Sequence, residues 1–549
     1  MTSSGGQLES IHDHNLLSLL FSNHERDDDS VVWRDGKNGD QIITKAQTRK
    51  LVRQLTHGYR QSGLIEGGKR DPDKVINLTE NQVIGFPNVL ALIASGAVVA
   101  TCPWQATAHE LLFRVRTLRP KAIVCSKTTL PLAMASRKSS GHWFSIVVQD
   151  SETMTVEDEE GRSFISDQET PWDTAWDEEI ANRTAVMVFS SGTTGSPKGV
   201  CISQRNIISM ILQLRHLFRS IRSGKQVLKM AGILDSAHVA GLFIHSFCPL
   251  GVGVEDILVP ATDIDLLLQT YNRYPIELMF CVPTVLTRLL AHDNFRRTNF
   301  KNLKYITTGA AKTTTVVQQE ITRALTPGVY CQEAWGMTEL TFLATMHAPG
   351  VLGPWNSVGK PLRGNVIQIR DDQGKVVPVG QTGEIWVSGP TVTPGYYLAQ
   401  VNDHDAKKDG WLRTGDLGSV DQAGYVYIEG RNKDLIKYNG AQISPHELEG
   451  VAREHGAVLD VGVVGLDLED GNELPTAFVV LKPGSPPAAI TGEILSFVNS
   501  RVSPYKRLRG GVYVLQELPK NAMGKLSYKD LRELAKKLHK TSQTARSKL

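Results

Sequence analysis

The sequence has no long apolar run, no paired-cysteine motif and no marked excess of either charge. Its longest apolar stretch, Val89 to Ala100, contains Ser95 and Gly96 and is too short for a membrane-spanning helix. The six cysteines, at 102, 125, 201, 248, 281 and 331, never adopt CxxC spacing, so neither a zinc site nor a disulfide framework is indicated. With 60 Lys+Arg against 57 Asp+Glu the formal charge is +3, which gives no reason to expect nucleic-acid binding as the main task. The opening MTSSGGQLES is polar where a secretory signal needs an apolar segment, and no such leader is expected. What is present is a chain of 549 residues, 41% hydrophobic and 21% charged, the composition of a folded protein. At roughly 100–200 residues per domain it has room for several domain-sized pieces. Its charge is uneven: residues 501–549 hold 13 Lys and Arg against 3 Asp and Glu.

Strand and helix signals alternate through the first four hundred residues, the pattern of α/β layers. Strands are predicted at Ser30–Trp33, Lys74–Leu78, Ala122–Cys125, Phe144–Val148 and Ala185–Phe189. Thr44-x-x-Gln47 is a capping box, which predicts an amphipathic helix running through Leu55 and Tyr59. From about Asn365 the texture turns to shorter strands and turns, and from about Asp434 to an α+β unit with strands at Val461–Val464 and Ala477–Leu481. No internal repeat or long low-complexity linker interrupts this order.

The strongest local signal is Phe189-Ser-Ser-Gly-Thr-Thr-Gly-Ser-Pro-Lys-Gly-Val200. An apolar strand feeds a loop rich in hydroxyls and glycine, closed by Lys198. Glycines let backbone N–H groups converge on a phosphate, hydroxyls add donors, and Lys adds a cation. It is not a Walker A loop, because Pro197 precedes the lysine and Gly199 follows it.

The loop resembles the phosphate loop of the adenylate-forming enzymes: acyl-CoA synthetases, adenylation domains and luciferases. Further motifs agree with that family in order: Gly309-Ala-Ala311, Glu333-Ala-Trp-Gly-Met-Thr-Glu339, Ser357-Val-Gly-Lys-Pro361 and Gly410-Trp-Leu-Arg-Thr-Gly-Asp416. Gly430-Arg-Asn-Lys-Asp-Leu-Ile-Lys437, Asn439-Gly-Ala-Gln442 and Leu518-Pro-Lys-Asn-Ala-Met-Gly-Lys525 complete the series. The resemblance spans nearly the whole chain from Ile42 onward. It implies an α/β fold with a large N-terminal domain, 1–432, built of stacked α/β layers with a β-rich part. A small α+β C-terminal lid, 433–549, is expected to join it through a hinge.

The same resemblance implies an ATP-dependent acid–CoA ligase using ATP, Mg²⁺ and CoA. A carboxylate attacks the α-phosphate to give acyl-AMP and pyrophosphate, and a thiol then displaces AMP. Such chemistry needs charge stabilisation around phosphates and no protein nucleophile. By this resemblance Ser190, Ser191, Gly192, Thr193, Thr194, Gly195 and Lys198 cradle the β- and γ-phosphates. Thr338 contacts the α-phosphate and Glu339 holds Mg²⁺. Gly309, Ala310 and Ala311 wall the adenine slot opposite Trp335, which stands where relatives carry Tyr, with Gly336 and Met337 completing the turn. Asp416 and Arg431 hold the ribose. Lys525 bridges the carboxylate and the α-phosphate, and Lys437 and Gln442 support the adenylation conformation. Lys433 is the hinge about which the lid rotates, and Gly440 leaves room for the pantetheine arm.

For the acid, His238, Val239, Ala240, Gly241, Val282, Thr284 and Ala334 are expected to line a roomy, mostly apolar pocket. That favours a medium-chain, branched or aryl-aliphatic acid over a hydroxycinnamate. The alternatives are loading of a separate carrier protein, a luciferase-like oxidase, or a non-catalytic binding member of the family. The last predicts loss of Lys525, Glu339 or Asp416, and all three are present. The terminal Ser547-Lys548-Leu549 matches the tripeptide that a peroxisomal import receptor reads, so a peroxisomal location is expected. His12-Asp-His14 and Asp27-Asp-Asp29 read as surface, and the sequon Asn77-Leu-Thr79 lies in a strand expected to be buried.

Overall fold

Helices between apolar strands supply the crossovers that parallel pairing needs, because a parallel pair cannot be joined by a tight turn. The computed structural model describes all residues except 1, 9–14, 23–25, 68–70, 173–176, 191–197, 225, 399–405, 432–433, 439–440, 469–472, 484–486, 503, 521–525 and 547–549. They form two compact units, one of residues 2–367 and 387–412, the other of 368–386 and 413–549.

The larger unit holds two large sheets and a two-stranded one, Thr345–Met346 with Lys360–Pro361. The first has eight strands, in the spatial order Gly395–Tyr396, Lys198–Ser203, Thr184–Ser190, Val98–Thr101, Lys74–Leu78, Ala122–Cys125, Ser145–Asp150 and Thr155–Asp158. The middle of this sheet is parallel and its outer strands antiparallel. Every residue of Val98–Thr101 and Ala122–Cys125 is buried, which is why these runs show no polar alternation. The second sheet has seven strands, ordered Cys331–Glu333, Tyr305–Thr308, Leu278–Cys281, Leu228–Gly232, Val254–Leu258, Val31–Asp35 and Ile42–Thr44. All its pairings are parallel except the last. Its parallel strands therefore end together along one edge.

Local predictions carry through. The Gln47 amide donates to the Thr44 hydroxyl and Gln47 Oε1 accepts from the Thr44 amide at 2.9 Å, opening the helix Lys45–Gln61. Val52, Leu55 and Tyr59 form its buried face. The strand expected at Phe144–Val148 runs instead from Ser145 to Asp150, with Phe144 fully buried ahead of it. Asp28 of the acidic triplet is half-exposed but tied to Arg49 by bonds of 2.7 and 2.9 Å. Asn77 of the sequon is buried. His12 and His14 lie outside the described residues.

In the smaller unit, Val458–Asp467 and Glu473–Leu481 pair antiparallel, and Gly511–Val514 adds a parallel third strand. The helices Pro445–Arg453, Pro487–Arg501 and Tyr528–Arg546 join them in an α+β arrangement, and the same unit holds most of the paired strands Trp411–Val420 and Val426–Arg431. Among the described residues no helix is long and apolar enough to cross a membrane. The mixed α/β class, with a large N-terminal and a small C-terminal part, is as the sequence implies.

Candidate active site

Strand register sets the ends of the phosphate-type loop. Ser190 closes one strand, Lys198 opens the next, and the two face each other directly across the antiparallel pair. The intervening Ser191, Gly192, Thr193, Thr194 and Gly195 lie outside the described residues. On the far side of Lys198–Ser203, the short strand Gly395–Tyr396 pairs through Val200↔Tyr396. This places the Lys198 ammonium 5.2 Å from the centre of the Tyr396 ring, a cation–π contact.

Glu339 sits in the turn Thr338–Leu340 and is buried, 6% exposed. Its Oε1 accepts from the Tyr396 hydroxyl at 3.1 Å and from the Ser190 hydroxyl at 3.4 Å. Its backbone oxygen accepts from the Thr393 amide at 2.8 Å. One carboxylate is thus held between the two ends of the site, with a cation beyond the tyrosine ring. Thr341, which ends the turn, has φ of 69° and donates through Oγ1 to Thr391 O at 2.7 Å. A threonine in the left-handed region is strained, and such strain survives where surrounding bonds over-determine it.

Sequence reasoning missed Tyr396. A Gly-Tyr pair in a turn-rich stretch carries no signal until the sheet shows what it lies beside. Tyr396→Phe keeps the ring over Lys198 and removes one donor to a charged acceptor, a bond worth about 1.5–3 kcal/mol. For this half-buried group the lower figure applies, and we expect kcat/KM for ATP to fall about tenfold. KM for the acid should stay within twofold in the same steady-state assay.

The carboxyl edge of the second sheet supplies the rest, as open α/β sheets place ligands beyond their strand ends. Leu278–Cys281 runs into Val282, which precedes the helix Pro283–Leu290 and leaves Thr284 exposed. Tyr305–Thr308 runs into Gly309, Ala310 and Ala311, with Ala310 at φ of 69°. Cys331–Glu333 runs into Ala334 and the buried Trp335. The Ala334 amide donates to Thr308 O at 2.8 Å, so the 309–311 and 334–335 segments leave the sheet side by side. A Cβ at Gly336 would lie 1.9 Å from Phe342 O, which requires glycine there.

The next strand, Leu228–Gly232, leads to half-buried His238, Val239 and Ala240 at the start of the helix Val239–Ser246. Gly241 is a different matter. The space its Cβ would need is occupied by Asp235 O, 2.0 Å away, so packing against this turn and not pocket width demands glycine.

Glu333, one residue before Ala334, accepts from the Thr313 amide and is pushed up to about 7 by burial. A carboxyl raised above its unfolded value near 4.5 contributes stability that is complete below that pH and lost as pH rises through 7. Glu333→Gln keeps the acceptor and removes the buried charge. Its melting temperature should exceed the parent's by a few degrees at pH 8 and match it at pH 5, a difference on the order of 3 kcal/mol.

In the smaller unit Asp416 and Arg431 face each other across paired strands, Arg431 Nε lying 2.9 Å from Asp416 Oδ1. Asp416 is buried and Arg431 exposed. Lys437 and Gln442 are likewise opposite each other in backbone register. Lys433, Gly440 and Lys525 lie outside the described residues, as do Ser547, Lys548 and Leu549.

Comparison with known proteins places this geometry. Residues 21–397 match the family model of the AMP-binding enzymes, and residues 447–525 match that of the AMP-binding enzyme C-terminal domain. The chain belongs to the AMP-binding enzymes. Its relatives include the phenylacetyl-CoA ligase epaB of Aspergillus niger, 30% identical over 93% of this chain and 95% of that protein. The acyl-CoA ligase azaF of Aspergillus niger is also 30% identical, over 93% of this chain and 96% of the relative. The crystal structure of ATP-bound MatB from Rhodopseudomonas palustris superposes with a TM-score of 0.82 at 25% identity, covering 95% and 99% of the two chains. For this AMP-binding enzyme the implied class, an AMP-forming acid–CoA ligase, stands.

Proposed function

We propose that this AMP-binding enzyme activates an aryl-aliphatic, branched or medium-chain carboxylic acid as its acyl-adenylate and passes the acyl group to CoA. The observation that carries the reading is the Ser190–Glu339–Tyr396 cluster beside Lys198, which combines one buried carboxylate, two hydroxyls and a cation at the base of the 191–197 loop. In the first step a carboxylate oxygen bonds to the α-phosphorus, and the bond to pyrophosphate breaks. In the second, the thiol sulfur bonds to the acyl carbon, the bond to AMP breaks, and the thiol proton leaves. Lys198 donates to phosphate oxygens, while Lys525 spans the reacting carboxylate and α-phosphate.

The donor set fits a magnesium ion. Mg²⁺ is typically held by one or two carboxylates and completes its shell with substrate phosphates and water. Glu339 is one such carboxylate, and no cluster of three or more His, Cys, Asp or Glu occurs among the described residues to build an all-protein cage. When bound, the ion neutralises phosphate charge. Glu339 supplies its protein ligand, and the Ser190 and Tyr396 hydroxyls orient that carboxylate.

Support for the acid class comes from two sides. Val239, Ala240 and Val282 are half-buried apolar residues that follow two adjacent strands of the second sheet. A relative covering nearly the whole chain is named a phenylacetyl-CoA ligase. The peroxisomal location rests on Ser547-Lys548-Leu549. A pyrophosphate-release screen over aliphatic and aryl-aliphatic acids tests the reading. Acid-dependent release with at least one apolar acid, and acyl-CoA only when CoA is added, is the expected result. Release of no pyrophosphate across the panel by enzyme that binds ATP overturns it, and a product that needs a carrier protein in place of CoA overturns the acceptor.

A further inference from the structure

Two ionisable side chains outside the phosphate site are wholly buried in the larger unit. His245 stands in the last turn of the helix Val239–Ser246, and Asp256 in the middle of the strand Val254–Leu258. Both are 0% exposed, and His245 Nδ1 lies 2.6 Å from Asp256 Oδ2. The other ring nitrogen, Nε2, lies 2.6 Å from Leu234 O. A carbonyl oxygen can only accept, so Nε2 carries a proton. The Trp33 indole donates to His245 O at 2.8 Å and fixes the helix backbone that carries the ring.

A buried ion pair is costly unless its geometry and remaining bonds are good, so its retention asks for a reason. Asp256 Oδ1 finds no hydrogen-bond partner among the described residues, yet the backbone leaves room for the pair. A Cβ at Gly232 would lie 2.1 Å from Asp256 Oδ1 and 3.1 Å from His245 Cε1, so glycine at that strand end makes the room. Burial alone lowers the His245 ring, but the Asp256 carboxylate outweighs this and holds it above the ordinary imidazole value, while burial also raises Asp256. A helix C-terminus favours the same protonated ring.

What the ring holds is a loop. Leu234 to His238 connects the strand Leu228–Gly232 to the helix on which His245 sits. Leu234 O accepts from His245 and also from Asn81 Nδ2 at 2.6 Å, while Asn81 Oδ1 accepts from the Ser236 amide at 3.0 Å. At its far end Thr101 Oγ1 donates to Ala237 O at 2.7 Å. The loop delivers His238 to the carboxyl edge where Val282 and Ala334 also emerge.

We propose that His245 and Asp256 form a positioning dyad that fixes the Leu234–His238 loop and thereby sets which acids the enzyme accepts. Asp256 orients the ring, the ring holds Leu234 O, and His238 keeps its place beside the acyl group. The dyad touches neither nucleotide nor acid. The proposal rests on the reading of this edge as the acyl pocket.

The test uses two amides that mimic different ring nitrogens. His245→Asn keeps a donor near Nδ1 and loses the bond to Leu234 O, whereas His245→Gln places its amide near Nε2 and keeps that bond. The readout is the ratio of kcat/KM for phenylacetate to that for butyrate, which does not depend on how much enzyme is folded. His245→Asn should change this ratio about tenfold with KM for ATP within twofold of the parent, and His245→Gln should restore it to within threefold. An unchanged ratio in His245→Asn, or an equal change in both variants, overturns the proposal. If the parent activates no acid, the ligase reading falls by itself, and amide hydrogen exchange over residues 234–238 decides the dyad. Protection lost in His245→Asn and kept in His245→Gln supports it; equal protection in both contradicts it.

Discussion

Lys525→Ala should lower acid-dependent pyrophosphate release by about 10²–10³-fold, the scale of losing one preorganised group aimed at developing charge. Negative charge gathers on the oxygens between the attacking carboxylate and the α-phosphorus. An ammonium that reaches both stabilises the transition state more than the separated reactants. The thiolation step has no such requirement. Conversion of supplied acyl-adenylate and CoA to acyl-CoA should therefore remain within a few-fold of the parent, in rapid-quench measurements of each half-reaction. Equal loss in both halves would refute the role. Neighbouring Lys520, Lys529 and Lys536 provide controls of the same charge, and alanine at any of them should leave adenylation within threefold.

Glu339→Gln is the second large effect. Glutamine keeps an oxygen that accepts from Ser190 and Tyr396, so the turn and its bonds to 3.1 and 3.4 Å partners are preserved while the charge is lost. Metal charge stabilisation is worth several kcal/mol, so adenylation should fall on the order of 10²-fold at fixed Mg²⁺. The half-saturating Mg²⁺ concentration should rise about tenfold or more. A variant that loses rate with an unchanged Mg²⁺ requirement would move the metal ligand elsewhere. Tyr396→Phe should show a weaker form of the same pattern, because it disturbs the carboxylate's orientation and leaves its charge in place.

The elements most legible in the sequence are those whose causes are local. The capping box at Thr44 and Gln47 depends on four consecutive residues, and it starts the predicted helix. Strands Lys74–Leu78 and Ala122–Cys125 have the predicted ends because short, largely apolar runs rich in Val and Ile fit buried strands better than helices of so few residues. The candidate site was legible in a different way. Its motifs resemble a family, and the fold then supplies register, as for Ser190 opposite Lys198 and Asp416 opposite Arg431.

What stayed illegible depends on contacts between distant strands. Tyr396 meets Glu339 across 57 residues because a two-residue strand adds to the edge of the first sheet. His245 lies on a helix and Asp256 on the strand that follows, so no single helical or strand period connects them. Gly241 illustrates the reverse error. Its missing side chain reads as pocket volume, yet the carbonyl of Asp235 fills that space.

Transfer of a carboxylate oxygen to AMP follows directly from attack on the α-phosphorus. The enzyme should be incubated with an acid labelled with ¹⁸O in both carboxylate oxygens, unlabelled ATP, Mg²⁺ and CoA, and the nucleotide and phosphate products examined by mass spectrometry. The account predicts one ¹⁸O in AMP and none in pyrophosphate. Label in inorganic phosphate with ADP as the nucleotide product, the mark of attack on the γ-phosphorus, would contradict it.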